Sequence, residues 1–278
     1  MKQTRTLKVG IIGLGAIGRE VANRIETGKV GEAQLVSLLC RDKTKHIAMS
    51  EGQSEHFKSI ITDDIDDFFA AKPDIVIEAA GQPSLKHYGE LVLAKGIDLL
   101  VSSIGLFTDD QILGEFINTA DQSGAKILLS TGALPAVDWM SAASLSEVNT
   151  IAITQTKPVA SWKNTPAEEF VDLNSIEDST CFFEGTARES ANLFPKSSNI
   201  SAMLALATIG LDETKVKLVA DPTSDIMNTY IDFDSKVGKL QVNWQGVPSI
   251  ANPSTSADVP LAIVKCIRNL SSSINYGA

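Results

Sequence analysis

The sequence contains few of the residues that stabilise small secreted domains or bind metals. Its three cysteines, Cys40, Cys181 and Cys266, lie far apart and form no CxxC pair, so they indicate neither a disulfide framework nor a metal or redox motif. An odd number of cysteines in a chain of 278 residues fits a reducing compartment. We therefore expect a cytoplasmic protein that binds no metal.

Long apolar runs and clusters of basic residues are missing as well. No run approaches the roughly 20 apolar residues that a membrane-spanning helix needs, and the polar residues 1–6 lack the apolar stretch of a signal peptide. The net charge is −10, and no Lys/Arg block offsets the repulsion that this charge exerts on a phosphate backbone. The sequence predicts a small-molecule ligand, with no nucleic acid and no membrane partner.

Apolar residues are nevertheless plentiful, at 44% of the chain, and they follow alternating strand and helix patterns. Residues 7–12 form a short apolar run that ends in glycines, residues 16–25 show helical spacing, and residues 34–40 are apolar again. Further strands are predicted at 74–79, 97–102 and 126–129, and further helices at 83–94 and 109–123. This alternation predicts an α/β fold with a Rossmann-type, doubly wound parallel sheet.

The pattern changes after about residue 132. Strands are predicted at 150–156, 216–220, 229–234 and 239–244, helices at 187–193 and 200–209, and a last helix at 256–269. The alternation of residues 150–156 is typical of a half-exposed strand in an antiparallel sheet. We predict a Rossmann domain over 1–133 and a second α+β domain with a mostly antiparallel sheet over 134–253. Residues 254–278 are expected to pack back on the first domain.

A glycine loop follows the first predicted strand and opens the first predicted helix. Gly13, Gly15 and Gly18 give the spacing G-x-G-x-x-G, which in this context indicates a dinucleotide-binding loop. Gly13 permits a tight turn, Gly15 lets the backbone approach a pyrophosphate, and Gly18 lets the helix pack closely on the strand. The helix start, at Ala16 and Ile17, then offers N–H donors to the phosphates. We therefore expect a nicotinamide dinucleotide.

The end of the second strand decides which dinucleotide is preferred. An acid there binds the ribose 2′-hydroxyl of NAD, but Cys40 occupies the position where that acid is first expected. Arg41 can pair with the 2′-phosphate of NADP, with Lys43 and Lys45 nearby. Asp42 can still serve as the acid if the strand ends later. The residues favour NADP, or use of both cofactors, and leave NAD open.

Short motifs spread over nearly the whole chain resemble those of the L-aspartate dehydrogenase family. They occur in the family's order and are therefore more specific together than any one of them. The matches are the glycine loop, 78–81, 130–133, 156–158 with Trp162, 165–169, 183–187, 193–196 with Asn199, 220–222 and 252–256.

The resemblance implies a fold, a reaction and an assembly. The family has a Rossmann domain and a second domain that carries the substrate site and the contact of a homodimer. Oxaloacetate and ammonia condense to iminosuccinate, and NAD(P)H delivers hydride to the imine carbon; the reverse reaction oxidises L-aspartate. The resemblance places Ala80, Gly81 and Ala133 beside the cofactor, and Asn199 and Thr255 beside the substrate.

The chain departs from the family at the residue that carries the proposed acid/base. The family has Asn-x-His, whereas this chain has Asn228 followed by Thr229 and Tyr230. With one inserted residue Asn228 matches the substrate-side asparagine and Tyr230 stands at the histidine; without it the position falls on Thr229. We hypothesise that Tyr230 donates the proton or binds the substrate, with Lys157 as its neighbour or as a carboxylate clamp. In a second departure, Pro135 stands where the family usually has glycine.

The missing histidine leaves two other functions open. One is a reductase of a different imine, keto acid or aldehyde on the same scaffold. The other is a dinucleotide-binding protein without catalytic activity. An acyl-enzyme dehydrogenase that uses Cys181 is less favoured, because Cys181 lies in an apolar strand where a buried, inert thiol is expected.

Overall fold

The computed structural model describes residues 6–252 and 255–277. The chain divides into two compact units. The first comprises residues up to Ser130 together with those from Pro260 onward, and the second runs from Thr131 to Val259. Within the described part of the chain, no helix is both long and apolar enough to cross a membrane.

The first unit is built on a parallel sheet of six strands. Its elements are β1 (Leu7–Ile12), α1 (Ala16–Glu26), β2 (Ala33–Leu39), α2 (Lys43–Ala48), α3 (Glu55–Ser59), β3 (Ile61–Thr62), α4 (Ile65–Ala70), β4 (Ile75–Glu78), α5 (Gln82–Ala94), β5 (Asp98–Val101), a 3-10 turn (Ile104–Thr108), α6 (Asp110–Ser123) and β6 (Ile127–Leu129). The strand order is β3-β2-β1-β4-β5-β6, the order of a dinucleotide-binding Rossmann sheet, in which the direction of winding reverses between β1 and β4.

The parallel strands are apolar because helices cover both faces of such a sheet. Val9 and Ile11 of β1 and Ile75 and Ile77 of β4 are buried in one core cluster. The last helix of the chain, α11 (Val259–Ser271), contributes Ile263 and two further residues to the same cluster.

The second unit is built on a five-stranded sheet. Its elements are α7 (Val137–Ala143), β7 (Val148–Pro158), α8 (Val159–Trp162), a 3-10 turn (Pro166–Glu169), β8 (Thr180–Thr186), α9 (Ala187–Leu193), a 3-10 turn (Pro195–Ser197), α10 (Asn199–Ala207), β9 (Lys215–Asp221), β10 (Met227–Ser235) and β11 (Gly238–Gly246). The order is β11-β10-β7-β9-β8, and only β7 and β9 pair in parallel. The predicted fold class, a parallel Rossmann sheet followed by a mostly antiparallel one, is confirmed.

The register between β7 and β10 determines which residues share a face of this sheet. Gln155 lies opposite Thr229, and Thr154 lies opposite Tyr230. Because side chains alternate along a strand and directly opposed residues point the same way, Gln155 and Thr229 lie on one face and Tyr230 on the other. The face that carries Gln155 and Thr229 is buried. It also presents Ile151, Ile153, Ile231 and Phe233.

The prediction that Cys181 is a buried thiol is wrong. Cys181 is exposed, because β8 is an edge strand of the sheet and its pairing with β9 is irregular between Cys181 and Phe183. The irregularity moves Phe183, rather than Cys181, into the core.

Candidate cofactor and substrate sites

The glycine loop between β1 and α1 has a backbone that only glycine accommodates at two of its positions. Gly13 has φ of 103°, and a Cβ added there would lie 2.6 Å from the carbonyl oxygen of Ala79. A Cβ at Gly18 would overlap the carbonyl oxygen of Gly13. The first helical turn therefore packs directly on the loop, as the spacing of the glycines predicts.

The space above the loop fits a dinucleotide phosphate. A Cβ built on Gly15 meets no atom within 4 Å, so the backbone there is open to a close ligand. Gly15 is also the N-cap of α1, and in the described part of the chain no side-chain capping hydrogen bond is made at this helix start. The N–H groups of the first turn, from Ala16 and Ile17 onward, therefore suit another acceptor. An open backbone and an uncapped helix start together suit the pyrophosphate of a dinucleotide.

Glu78, at the end of β4, fixes the loop beside Gly13. Its Oε1 accepts hydrogen bonds from the N–H groups of Ala80 (2.8 Å) and Gly81 (2.9 Å) and from the hydroxyl of Ser103 (2.9 Å). Its Oε2 accepts from the N–H groups of Ser102 (3.3 Å) and Ser103 (2.9 Å). The side chain is 1% exposed. Burial raises the pKa of Glu78, while the hydrogen bonds from Ala80, Ser103 and Gly81 act to lower it.

The carboxylate of Glu78 thus connects two loops at one edge of the sheet. Because all five partners are positioned to donate, the arrangement suits the ionised form. The predicted cofactor residues Ala80 and Gly81 are held in place by this side chain. Gly81 has φ of 96° and is the N-cap of α5.

The end of β2 carries a base rather than a free acid. The strand ends at Leu39, and Cys40 is buried with its Sγ 3.6 Å from the carbonyl oxygen of Thr62. Arg41 is exposed. One carboxylate oxygen of Asp42 accepts from the N–H of Lys45 at 2.8 Å and so caps α2. The strand does not extend to Asp42, and the carboxylate of Asp42 is engaged in capping α2.

Lys157, near the end of β7, is a desolvated cation. Its Nζ donates to the hydroxyl of Ser197 at 3.0 Å and lies 4.6 Å from the centre of the Trp162 ring. Among the described residues no carboxylate lies within ion-pair distance of it. Burial lowers the pKa of Lys157 to about 8. An ammonium held this way lacks a negative partner, which is the condition that an anionic ligand would relieve.

The expected contact between Lys157 and Tyr230 is wrong. Lys157 follows Gln155 by two residues on β7 and shares its face, whereas Tyr230 lies on the opposite face and is 39% exposed. Thr229, the other residue that can stand at the family's histidine position, lies on the face of Lys157 and directly opposite Gln155. The sequence could not distinguish these two positions because their faces depend on the register.

The other predicted substrate residues are distributed over the second unit. Asn199 is exposed at the first position of α10, two residues after Ser197. Asn228 lies near the start of β10, on the same face as Tyr230. Its side chain is half-buried, and its Oδ1 has no hydrogen-bond partner among the described residues. Thr255 accepts a hydrogen bond from Asn252 at 3.1 Å and stabilises a turn. Pro253 and Ser254 of the matched segment lie outside the described residues.

Ala133 lies in a turn closed by a hydrogen bond from the N–H of Leu134 to the carbonyl of Thr131, at 2.9 Å. Downstream of it, Ala136 has φ of 58°, a left-handed conformation that is costly for a residue with a Cβ. Pro135 immediately precedes this residue, so the segment with the unusual proline is also the segment with the strained backbone.

Sequence reasoning missed Gln155 and Ser197, although the pattern of β7 contained a signal for the first. Ile151, Ile153, Gln155 and Lys157 recur with period 2, which places an amide and an ammonium in series with buried isoleucines. Ser197 carried no such signal, because its position depends on how the turn before α10 packs.

Comparison with known proteins agrees with both units. Residues 138–270 match the family described as "Aspartate dehydrogenase, C-terminal", and residues 13–130 match "Homoserine dehydrogenase, NAD binding domain". The L-aspartate dehydrogenase of Brucella anthropi is 32% identical over 93% of this chain and 94% of its own length. That of Psychrobacter cryohalolentis is 33% identical over 90% and 92%, respectively.

A solved structure of an aspartate dehydrogenase has the same fold as this chain. Aspartate dehydrogenase from Thermotoga maritima superimposes with a TM-score of 0.72 at 22% identity, covering 98% of this chain and 100% of that one. These comparisons do not favour a reductase of another substrate class or a protein without catalytic activity. By its similarity to curated relatives along nearly its whole length, this chain belongs to the L-aspartate dehydrogenase family.

Proposed function

We propose that this protein is an NAD(P)-dependent L-aspartate dehydrogenase. The observation that carries the proposal is 32% identity to a curated L-aspartate dehydrogenase over 93% of the chain. The cofactor is assigned to the predicted domain 1–133 and the substrate to 134–253. L-Aspartate loses a hydride and a proton to give iminosuccinate, which water converts to oxaloacetate and ammonia. A bound nicotinamide supplies the hydride acceptor, or the donor in the reverse direction.

The residues of this chain bind and orient the two reactants. The backbone around Gly15 and the first turn of α1 hold the pyrophosphate. The ammonium of Lys157 holds a substrate carboxylate, because it is desolvated and has no carboxylate partner in the described structure. Ala133 and Asn199 are assigned to ligand contacts by family resemblance.

Lys157 rather than Tyr230 is the residue on which turnover depends. The two side chains lie on opposite faces of the sheet, so Lys157 does not lie beside the exposed phenol of Tyr230. Tyr230→Phe is expected to leave kcat/KM within about twofold of the wild type, since exposed substitutions have small effects. Loss of turnover in Tyr230→Phe with normal folding would restore the tyrosine as the acid/base.

Activity is tested by following NAD(P)H absorbance with oxaloacetate in the presence and absence of ammonia. We expect oxidation of the cofactor only when both oxaloacetate and ammonia are present, and not with monocarboxylic keto acids. Reduction of oxaloacetate without ammonia, or preference for another keto acid, would contradict the proposal.

We further propose that Arg41 gives the enzyme a preference for NADPH. Arg41 is exposed at the end of β2, and the acid that follows it, Asp42, caps α2. Removing one charge-assisted contact to the 2′-phosphate costs about 1.5–3 kcal/mol. Arg41→Ala is therefore expected to raise the KM for NADPH about tenfold or more and to leave the KM for NADH unchanged. Equal effects on both cofactors would exclude the role.

The family resemblance also favours a homodimer. Sedimentation velocity at two protein concentrations tests this assembly. A single species with the mass of one chain would contradict it.

A further inference from the structure

Gln155 is a buried polar residue with an unused hydrogen-bond donor. It is 2% exposed, and its Nε2 has no hydrogen-bond partner among the described residues. Buried amides in folded proteins nearly always have partners, because an unsatisfied buried donor is destabilising. An amide that departs from this rule in the middle of a regular strand calls for a partner that is not part of the folded chain.

The position of Gln155 relates this donor to Lys157. The two residues stand two apart on β7, on the same face and about 7 Å apart along the strand. Lys157 is the second donor on this face, and among the described residues its ammonium contacts the hydroxyl of Ser197 and the ring of Trp162. A buried neutral donor and a half-buried cationic donor therefore lie close together, and both lack an acidic partner in the described structure.

The start of α10 adds to the same electrostatic environment. Ser197, which accepts from Lys157, lies two residues before Asn199, the first residue of this nine-residue helix. The N-cap residue Ser198 makes no side-chain capping hydrogen bond in the described structure, and a helix start carries a partial positive charge. A ligand that satisfies this set must bring hydrogen-bond acceptors and negative charge, which are the properties of a carboxylate.

We propose that Gln155 is a further substrate-binding residue, whose side-chain amide binds a substrate carboxylate together with the ammonium of Lys157. This inference rests on the proposed function for the identity of the substrate. The amide and the ammonium serve one end of a dicarboxylic acid, and Thr229, directly across the sheet from Gln155, borders them on the same face.

The test compares Gln155→Leu with a matched control in calorimetric titrations with succinate, a dicarboxylate that has no reacting carbonyl or amine. The control is Gln241→Leu, on the opposite face of the same sheet, where the amide is exposed and donates to Asp232 at 3.1 Å. We expect Gln155→Leu to raise the succinate Kd about tenfold or more, as loss of a hydrogen bond to a charged group does. Gln241→Leu should leave it unchanged.

Two further measurements keep the inference testable if Gln155→Leu folds poorly. Gln155→Glu places a carboxylate beside Lys157 and should abolish succinate binding. In the wild type, succinate should be bound with uptake of protons near pH 8, because a bound carboxylate raises the pKa of Lys157 above its value of about 8. Titration in buffers of different ionisation enthalpy measures this uptake.

The outcomes separate this inference from the proposed function. A folded Gln155→Leu or Gln155→Glu variant that binds succinate within twofold of the wild type overturns the inference, as does binding without proton uptake near pH 8. If succinate binding depends on Gln155 but oxaloacetate and ammonia support no NAD(P)H oxidation, the carboxylate site stands and the proposed function fails.

Discussion

Each unit of this protein contains a desolvated charged side chain, Glu78 in the first and Lys157 in the second, and the two differ in how many hydrogen bonds the described chain gives them. Glu78, in the first unit, accepts five hydrogen bonds from two loops. Lys157, in the second, donates to one hydroxyl and rests on one aromatic ring. Both pKa values are displaced by burial, upward for Glu78 and downward for Lys157. Only the carboxylate has a full set of partners from the chain.

The difference separates a structural charge from a binding charge. A buried charge with complete hydrogen bonding stabilises the loops that surround it, whereas an incompletely satisfied one destabilises the free protein until a ligand completes it. By this criterion Glu78 stabilises the loops beside Gly13, and Lys157 is the charge to which we assign the proposed substrate contact. Substitution of the two residues should therefore change stability in opposite directions.

The largest effect is expected for Glu78→Gln. The amide is isosteric with the carboxyl but turns an NH₂ group toward N–H donors, so at least two hydrogen bonds to a charged acceptor are lost. We expect the free energy of unfolding to fall by about 3 kcal/mol, measured by urea denaturation. Cofactor binding should weaken as well, because Ala80 and Gly81 lose their anchor.

Glu184→Gln is the matched control, because Glu184 is an exposed glutamate paired with Lys217 at 3.1 Å. An exposed ion pair contributes little, so a change below about 1 kcal/mol is expected. If Glu78→Gln lowers the free energy of unfolding no more than Glu184→Gln does, the carboxylate of Glu78 does not stabilise the two loops.

Lys157→Met should act in the opposite direction on stability. Methionine keeps the apolar contact with Trp162 and removes a desolvated ammonium, so the free energy of unfolding should rise by about 1–3 kcal/mol at neutral pH. Substrate turnover should fall about a hundredfold in kcat/KM, because the carboxylate loses its cation. The control is Lys217→Met, which should leave the free energy of unfolding unchanged. If Lys157→Met lowers that free energy while Lys217→Met does not, the ammonium of Lys157 is satisfied within the fold.

The gain in stability should depend on pH. Lys157 titrates near pH 8 in the folded protein and near 10.4 in the unfolded chain. Between these values the unfolded state binds the extra proton, so stability of the wild type rises with pH. The advantage of Lys157→Met should therefore be full below about pH 8 and shrink above it. An advantage that stays constant from about pH 7 to pH 10 would contradict the lowered pKa.

Substrate binding should depend on the titration of Lys157 as well, and it should weaken as the pH rises. Only the protonated lysine attracts a carboxylate, so the Kd of succinate should rise above about pH 8. Succinate itself remains a dianion there, because carboxyl groups titrate near pH 4. Lys157→Arg keeps the charge and should remove the dependence. A dependence that persists in Lys157→Arg would belong to another group.

The contrast between the two charges could be read from the sequence only in part. The glycine loop and the strand that contains Glu78 follow from glycine spacing and apolar periodicity. The strand predicted at 150–156 covers most of β7 but ends one residue before Lys157. The hydrogen-bond partners of Glu78 could not be predicted in this way, because Ser102 and Ser103 come close to Glu78 only when β5 pairs with β4.

The sequence also could not predict on which face of the sheet Tyr230 lies. A strand pattern fixes which residues alternate, but the register of β10 on β7 determines that Thr229 rather than Tyr230 shares a face with Lys157. The exposure of Cys181 likewise depends on β8 being an edge strand. Long-range pairing decided each of these points, and local propensity carries no information about it.

The smallest effect concerns the hydroxyl of Ser197, which accepts the hydrogen bond from Lys157. Ser197→Ala removes the acceptor 3.0 Å from Nζ, which should cost the charged form about 1 kcal/mol. The pKa of Lys157 should then fall further, and the rise in the succinate Kd should begin at a pH lower by less than about one unit. Ser175→Ala, at an exposed hydroxyl that donates to the carbonyl of Asp172, is the control. If Ser197→Ala leaves the titration where it is in the wild type, the hydroxyl does not stabilise the ammonium, and Lys157 contrasts with Glu78 even more sharply than its one hydrogen bond indicates.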